Sequence, residues 1–267
     1  MVDIHSHLLP EIDDGARDVQ TSEDILCLAV QGGFTDIICT PHFSPDEQNM
    51  REFLEFRQES FNLLSRLVEK KKIPINLHLG LEIAFTPELI NLVDSLKNEV
   101  DFNILDLCLA NSRYMLLEFN PLIFPIWAEH NLYELQLRGV IPVIAHVDRY
   151  SWVLRQKEFL SQCSEKGVIF QVNASSIDSL CRSKESETVD FLLSNNYIDV
   201  VASDAHNNND RGMLSINAIF RDENSKKYGK SSKWIENGFN ILNNHDTIST
   251  EHKLIKKNLF GILKNYF

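Results

Sequence analysis

Val2-Asp3-Ile4-His5-Ser6-His7-Leu8-Leu9-Pro10 is a short β-rich run that stops on two histidines and a proline. The same figure recurs along the chain. Predicted strands cover Val2–His5, Asp36–Thr40, Ile75–Ile83, Tyr114–Phe119, Pro142–Val147, Val168–Asn173 and Asp199–Ser203. Several are nearly continuous apolar runs, as expected of parallel strands covered on both faces. Helical stretches separate them. Thr21-Ser22-Glu23-Asp24 opens one that Gly32-Gly33 closes, and Asp46 to Lys72 carries Leu54, Phe61, Leu64 and Val68 at helical spacing. Thr86-Pro87 is a cap followed by proline, while Gly139 and Gly167 occupy the position just past a helix end. Such β-α alternation predicts a barrel or a doubly wound sheet. No linker or repeat divides residues 1–267, so a single domain is expected. The region from about residue 211 should form a terminal flank, helical to Phe267.

Composition narrows the function. The chain has 267 residues, is 43% hydrophobic and 24% charged, and bears a formal net charge of −12. An acidic surface repels phosphate backbones and disfavours nucleic-acid binding. It does not exclude phosphate esters, because bound cations reverse the field inside a cleft. The cysteines, Cys27, Cys39, Cys108, Cys163 and Cys181, are odd in number and contain no C-x-x-C pair, which suits a reducing compartment. The amino terminus lacks the basic and apolar regions of a signal peptide, and no stretch approaches the roughly 18 apolar residues that span a bilayer. A cytoplasmic protein without membrane insertion is expected.

Nearly every predicted strand delivers an imidazole or a carboxylate at its carboxyl end, where barrels and open α/β sheets bind ligands. The first ends in His5-Ser6-His7, followed by Asp13-Asp14-Gly15. Later ones bring Thr40-Pro41-His42, Gly80-Leu81-Glu82, Glu118-Phe119, Ala145-His146 and Ser203-Asp204-Ala205-His206. Residues two apart on an extended backbone point the same way, so His5 with His7, and Asp204 with His206, can chelate. Mixed nitrogen and oxygen donors suit Mn2+, Fe2+ or Zn2+ better than Ca2+ or Mg2+. His5, His7, Asp14, His42, Glu82, Glu118, His146, Asp204 and His206 are too many for one ion. Two or three metals are expected, with Glu82 or Glu118 bridging.

These motifs, in this order, resemble the bacterial protein-tyrosine phosphatases of capsule and exopolysaccharide loci in the PHP (polymerase and histidinol phosphatase) family. The resemblance extends to Tyr114-Met115-Leu116-Leu117-Glu118-Phe119 and Gln171-Val172-Asn173-Ala174-Ser175-Ser176, and covers residues 1 to about 211. It implies a distorted seven-stranded (β/α) barrel holding three metals, manganese foremost. His5, His7, Glu82 and Asp204 would hold one ion. Glu82, Glu118 and His146 would hold a second, and Asp14, His42 and His206 a third. His42 counts among the catalytic residues as well. The family reads His-Pro-Glu-Arg-Tyr after the fifth strand, where this chain has His146-Val147-Asp148-Arg149-Tyr150. The shorter Asp148 is therefore expected to shift the Arg149 loop.

The expected chemistry is hydrolysis without a phospho-enzyme, by a hydroxide bridging two metals, with Arg149 and Arg211 gripping the phosphate oxygens. A tyrosyl leaving group, with a pKa of about 10, needs little help from an acid. The resemblance points to a phosphotyrosine-bearing protein, a bacterial tyrosine kinase, as partner, and is compatible with a monomer or an oligomer. A phosphatase for histidinol phosphate or another small molecule is the alternative enzyme; a metal-binding regulatory protein without turnover is the alternative class. Cysteine-based phosphatase chemistry is excluded. It needs arginine after five intervening residues, and the five cysteines have Gly33, Pro45, Tyr114, Ile169 and Glu187 there. Asp13 is expected as a turn residue and His78 as a packed histidine. Leu122-Ile123-Phe124-Pro125-Ile126-Trp127 is expected as the core-facing start of a helix.

Overall fold

The computed structural model describes residues 1–177, 186–207, 212–221, 231–248, 255–257 and 263–265. Strand β1 (Val2–Ser6) lies parallel to β2 (Asp36–Cys39), which lies parallel to β4 (Asn76–Leu79). A six-stranded parallel sheet follows, ordered β3 (His42–Phe43), β5 (Glu82–Ala84), β6 (Tyr114–Glu118), β7 (Ile141–Ile144), β8 (Ile169–Asn173) and β9 (Val200–Ala202).

The expected strand Ile75–Ile83 is broken in the middle, and the expected strand Asp36–Thr40 ends at Cys39 with a second short strand just beyond it. Between β2 and β3 stands Pro41, which has no N–H to give the ladder. Between β4 and β5 stands Gly80, whose carbonyl accepts a 3.1 Å hydrogen bond from buried Arg57. A Cβ at Gly80 would lie 2.9 Å from Ile38 Cγ2, so only glycine lets the chains approach this closely. The sheet curls until its last strand meets its first. Ser6 bridges Ala205 in parallel, His7 N donates to Ala205 O at 2.9 Å, and Asp204 N donates to His5 O at 2.9 Å.

Helices cover the outside. Helix α1 (Val19–Gly32) starts earlier than its sequence signal, because Asp18 caps it by accepting from Thr21 N at 2.7 Å. Asn49 likewise caps α2 (Met50–Lys71), placing its start after Asp46. Then come α3 (Glu88–Ser95), α4 (Ala128–Leu137), α5 (Lys157–Glu165), α6 (Ala174–Ile177) and α7 (Ser186–Ser194). Gly139 and Gly167 take φ of 82° and 78° after α4 and α5, the left-handed cap expected of them.

Inside the curl, Val2, Ile4, Ile38, Tyr114, Leu116, Val143, Ile169 and Val200 form an apolar plug that also receives Ile241. Ile241 comes from α9 (Ser231–Leu242), which packs on β1 and β9 and donates from Trp234 Nε1 to Ile198 O at 2.9 Å. Helix α8 (Gly212–Arg221) packs on α1 and α6. Beyond them, β10 (Ile255–Lys257) pairs antiparallel with β11 (Leu263–Asn265), where helix was expected. Gly261 in the intervening sequence weakens a helix by about 1 kcal/mol relative to alanine. The apolar plug closes the amino-terminal half of the curl and leaves the carboxyl strand ends open for polar groups.

Candidate metal centre

Histidines 5 and 7 reach the open end by way of an irregularity in β1. Its register against β2 slips by one residue between Asp3 and Ser6, the effect of a bulge. Ile4 thereby joins the inner plug while His5, the next residue, meets Gln171 on the same side. The ring nitrogens His5 Nε2 and His7 Nε2 face each other at 3.2 Å. Glu82 Oε2 stands 3.2 Å from each, and Asp204 Oδ1 stands 3.3 and 3.4 Å from them.

The hydrogen-bond partners behind the rings decide what these atoms are. His5 Nδ1 is paired with Gln171 Oε1 at 3.1 Å, and His7 Nδ1 with Asp13 Oδ2 at 2.7 Å. Both Nδ1 atoms are therefore the protonated ones in the neutral rings, and both Nε2 atoms present lone pairs. Glu82 Oε2 and Asp204 Oδ1 are buried without a hydrogen-bond donor. Four acceptors thus converge on one point, an arrangement that only positive charge satisfies. For an ion bound tetrahedrally at about 2.0–2.1 Å, ligand atoms lie about 3.3–3.4 Å apart, close to the separations here. The residues fit a divalent metal.

Two further groups adjoin this one. His42 Nδ1 lies 3.0 Å from Glu82 Oε2 and 3.7 Å from Glu118 Oε2, while His146 Nε2 lies 2.8 Å from Glu82 Oε1 and 3.5 Å from Glu118 Oε1. On the outer side, Asp14 Oδ1 is 3.4 Å from His42 Nε2 and 3.6 Å from His206 Nε2, and the His206 ring stacks on His7 at 4.0 Å. His5, His7, Glu82 and Asp204 form one potential metal-holding group, His42, Glu82 and Glu118 a second, and His7, Asp14, His42 and His206 a third. The nine candidate ligands named from the sequence all meet here. Glu82 touches four of the histidines.

Electrostatics follows the geometry. Burial works against charge on His5, yet Glu82 and Asp204 outweigh it and push the imidazole up to about 9, so that without a cation a proton on Nε2 supplies the positive charge between the carboxylates. His7 is likewise driven up against its burial by Asp13, Asp204 and Glu82. Burial would raise Glu82, but His5, His146 and His42 hold its carboxyl well below the usual carboxylate range. Glu118 is raised by burial and by neighbouring Glu82. His206 is lowered by burial and by the adjacent His7.

The cluster floors an open cleft of about 990 Å³ lined by Asp14, His42, Glu118, Arg149, Asp204 and His206. Arg149 stays in the cleft despite the shortened residue before it, with Nη1 donating to Asp204 Oδ2 at 3.1 Å. Asp148 is buried, accepting from Asn173 N at 3.1 Å and from Ser176 Oγ at 2.6 Å. Those two bonds fasten the Arg149 turn to the start of α6. Arg211 lies outside the described residues. Tyr150 accepts from Phe119 N at 2.9 Å, fixing the backbone just past Glu118.

Asp13 is more than a turn residue. Its Oδ1 accepts from Gly15 N at 2.9 Å as a turn would have it, while Oδ2 holds His7 and accepts from His42 N at 3.1 Å. The doublet Asp13-Asp14 was the available signal. His78 pairs with Asp36 at 3.0 Å and takes no part in the cluster. In the apolar run after Glu118, Phe124 packs on Trp152 and Trp127 on Phe85, but Leu122, Ile123 and Ile126 are exposed, and α4 begins only at Ala128.

A curled parallel sheet with outer helices and a histidine–carboxylate cluster at its carboxyl ends defines the class, a mixed α/β protein built around a candidate metal centre. Within that class, the chain belongs to the family described as capsular polysaccharide synthesis, CpsB/CapC, whose pattern matches residues 1–243. CapC of Staphylococcus aureus is 30% identical, with 98% of this chain and 100% of the relative covered. YwqE of Bacillus subtilis strain 168, named a tyrosine-protein phosphatase, is 32% identical, with 98% of this chain and 99% of the relative covered. Among solved structures, a chain from the work on YwqE of Bacillus subtilis and CpsB of Streptococcus pneumoniae, titled unique metal-dependent tyrosine phosphatases, superposes with a TM-score of 0.82. It is 30% identical and covers 96% of this chain and 100% of its own. The resemblance carried by the strand-end motifs is borne out.

Proposed function

We propose that this chain is a metal-dependent protein-tyrosine phosphatase that removes phosphate from a phosphotyrosine-bearing protein, with a bacterial tyrosine kinase of polysaccharide synthesis as its target. One observation carries the metal-dependent part: His5 Nε2, His7 Nε2, Glu82 Oε2 and Asp204 Oδ1 converge as four acceptors without a donor. The phosphotyrosine part is supported by the names of the relatives.

Counting the broken strands β2/β3 and β4/β5 as one stave each, the sheet reads as a distorted seven-stranded barrel, and residues 1–267 as a single PHP domain with its flank from about 211. His5, His7, Glu82 and Asp204 would hold one ion, Glu82, Glu118 and His146 another, and Asp14, His42 and His206 a third. The mixed donor set suits Mn2+, with Fe2+ and Zn2+ as alternatives. Bound there, the metals would lower the pKa of water and offset the charge of the phosphate. A cytoplasmic location suits the buried free thiols of Cys39, Cys108 and Cys163.

The chain's own groups account for the rest. Arg149, half exposed at the cleft, can turn its guanidinium from Asp204 Oδ2 to two phosphate oxygens. Arg211 is assigned the same duty from the sequence alone. The tyrosyl oxygen leaves with a pKa of about 10, so no strong general acid is required. The cleft is wide and open, so a side chain carried on a protein can enter it.

The test is hydrolysis of a phosphotyrosine peptide and of histidinol phosphate by metal-stripped protein, before and after adding Mn2+. Activity restored on the peptide is the expected result. Activity restored on histidinol phosphate alone would overturn the substrate, and metal-independent activity would overturn the mechanism.

A further inference from the structure

Strand β8 presents Ile169, Gln171 and Asn173 on one face. Ile169 belongs to the inner plug, so the next two inward positions place a pair of amides directly beneath the metal centre. Gln171 is fully buried and Asn173 nearly so. Gln171 Oε1 accepts two hydrogen bonds, from His5 Nδ1 at 3.1 Å and from the backbone N–H of His146 at 2.6 Å. That identifies it as the carbonyl oxygen, and Nε2 as the donor to Asn173 Oδ1 at 2.9 Å. Asn173 Nδ2 is then the donor to Asp204 Oδ2 at 2.7 Å.

One relay therefore ties together residues from three separate strand ends. Two of them need holding. His146 has φ 25° and Asp204 has φ 53°, in the left-handed region that residues with a Cβ rarely adopt. Such backbones persist only where the surroundings over-determine them. The remaining consequences concern direction. The bond to Gln171 keeps the neutral His5 ring protonated at Nδ1, so Nε2 is the lone pair. The bonds from Asn173 and Arg149 occupy Asp204 Oδ2, so Oδ1 is the atom turned toward His5 and His7. Both amides are neutral, so they set direction without adding charge to a crowded acidic cluster.

We infer that Gln171 and Asn173 are positioning residues that aim His5, His146 and Asp204 at the metal. This rests on reading the cluster as a metal centre. The experiment is competition for Mn2+ against a chelator, run alongside thermal unfolding of the metal-free proteins, for wild type, Gln171→Met, Gln171→Glu and Asn173→Ala. Removing partners behind metal ligands lowers affinity about 10–100-fold. That loss is expected in the folded fraction of Gln171→Met and of Asn173→Ala, with a lowered metal-free unfolding temperature for Gln171→Met, which leaves the buried His146 N–H without its acceptor. Gln171→Glu keeps acceptors for His5 and His146 but loses the donor to Asn173 Oδ1 and adds a charge, so it is expected to regain only part of the affinity.

Wild-type affinity in Gln171→Met and Asn173→Ala would overturn the positioning role while leaving the metal reading intact. So would a fall in unfolding temperature with no loss of affinity in the folded fraction. If Gln171→Met does not fold, Asn173→Ala decides. A wild-type chain that binds no Mn2+ would overturn the metal reading, and this inference with it.

Discussion

Asp13 and His7 form a 2.7 Å carboxylate–imidazole pair, with the hydrogen on His7 Nδ1 and the opposite ring nitrogen turned into the cluster. The same carboxylate accepts from the backbone N–H of His42 and from that of Gly15. One side chain thus registers two strand ends against each other. Such a partner orients a ligating histidine and makes its free nitrogen more basic. Asp13→Ala is therefore expected to weaken divalent-metal binding about 10–100-fold, with Asp13→Asn intermediate because it keeps an acceptor but not the charge. Chelator competition measures both, and an Asp13→Ala protein with wild-type affinity would show the pair to be incidental.

Gly15 is tied to the same pair. A Cβ there would fall 2.4 Å from both His7 Cβ and His7 O. Neither atom can yield easily, since His7 is buried and its carbonyl accepts from Ala16 N at 3.0 Å. Gly15→Ala is expected to lower stability by about 1–3 kcal/mol and to loosen metal binding together with it. Urea unfolding of the metal-free protein gives the first quantity and metal titration the second. A variant as stable as wild type would mean that the turn opens freely.

What the sequence disclosed follows from how each kind of information is stored. Apolar runs ending in His5, His42, Glu82, Glu118, His146 and Asp204 sit in the primary structure, so the strands and the ligands could be named from them. The breaks at Pro41 and Gly80 could not be placed, because Ile75–Ile83 is one unbroken β-rich pattern until Arg57, from a helix far away in sequence, takes the Gly80 carbonyl. The bulge in β1 is invisible for a similar reason. It is a mismatch between two strands, and Ile4 next to His5 looks like ordinary alternation. Asp13, Gln171 and Asn173 were missed in their roles because each acts on a residue that only folding brings near. The bonds that Asp148 accepts from Ser176 Oγ and the Asn173 N–H were unreadable for the same reason, since their partners lie more than twenty residues away.

Arg57 itself gives a stability prediction. It is 5% exposed, and burial pushes its guanidinium down to about 10. Its Nη1 donates to Gly80 O at 3.1 Å and to Asp106 O at 2.9 Å, joining α2 to the break between β4 and β5. Arg57→Met would leave two inward carbonyls without a donor, at about 1–3 kcal/mol each. A loss of about 3 kcal/mol is expected, visible as a lower urea midpoint at an unchanged slope. Arg57→Lys, with a single point donor in place of the fork, is expected to recover only part of it. Full stability in Arg57→Met would mean that water or a local shift serves those carbonyls.

The thiols separate metal-assisted hydrolysis from attack by cysteine. Cys39, Cys108 and Cys163 are buried, and burial pushes all three thiols up, that of Cys108 to about 12. At pH 8 they are protonated and shielded, so iodoacetamide should leave them unmodified in the native protein while labelling exposed Cys27. Phosphatase activity should survive that treatment and disappear with chelation. The sign of the pH effect follows from the same shifts. An unfolded chain releases these protons near its ordinary thiol pKa, whereas the folded chain keeps them, so above about pH 9 the native state binds more protons and stability falls as pH rises. Peptide mapping after labelling, with activity measured in parallel, tests the assignment. Inactivation that tracks modification of Cys39, two residues before Pro41, would replace the metal mechanism with a thiolate one.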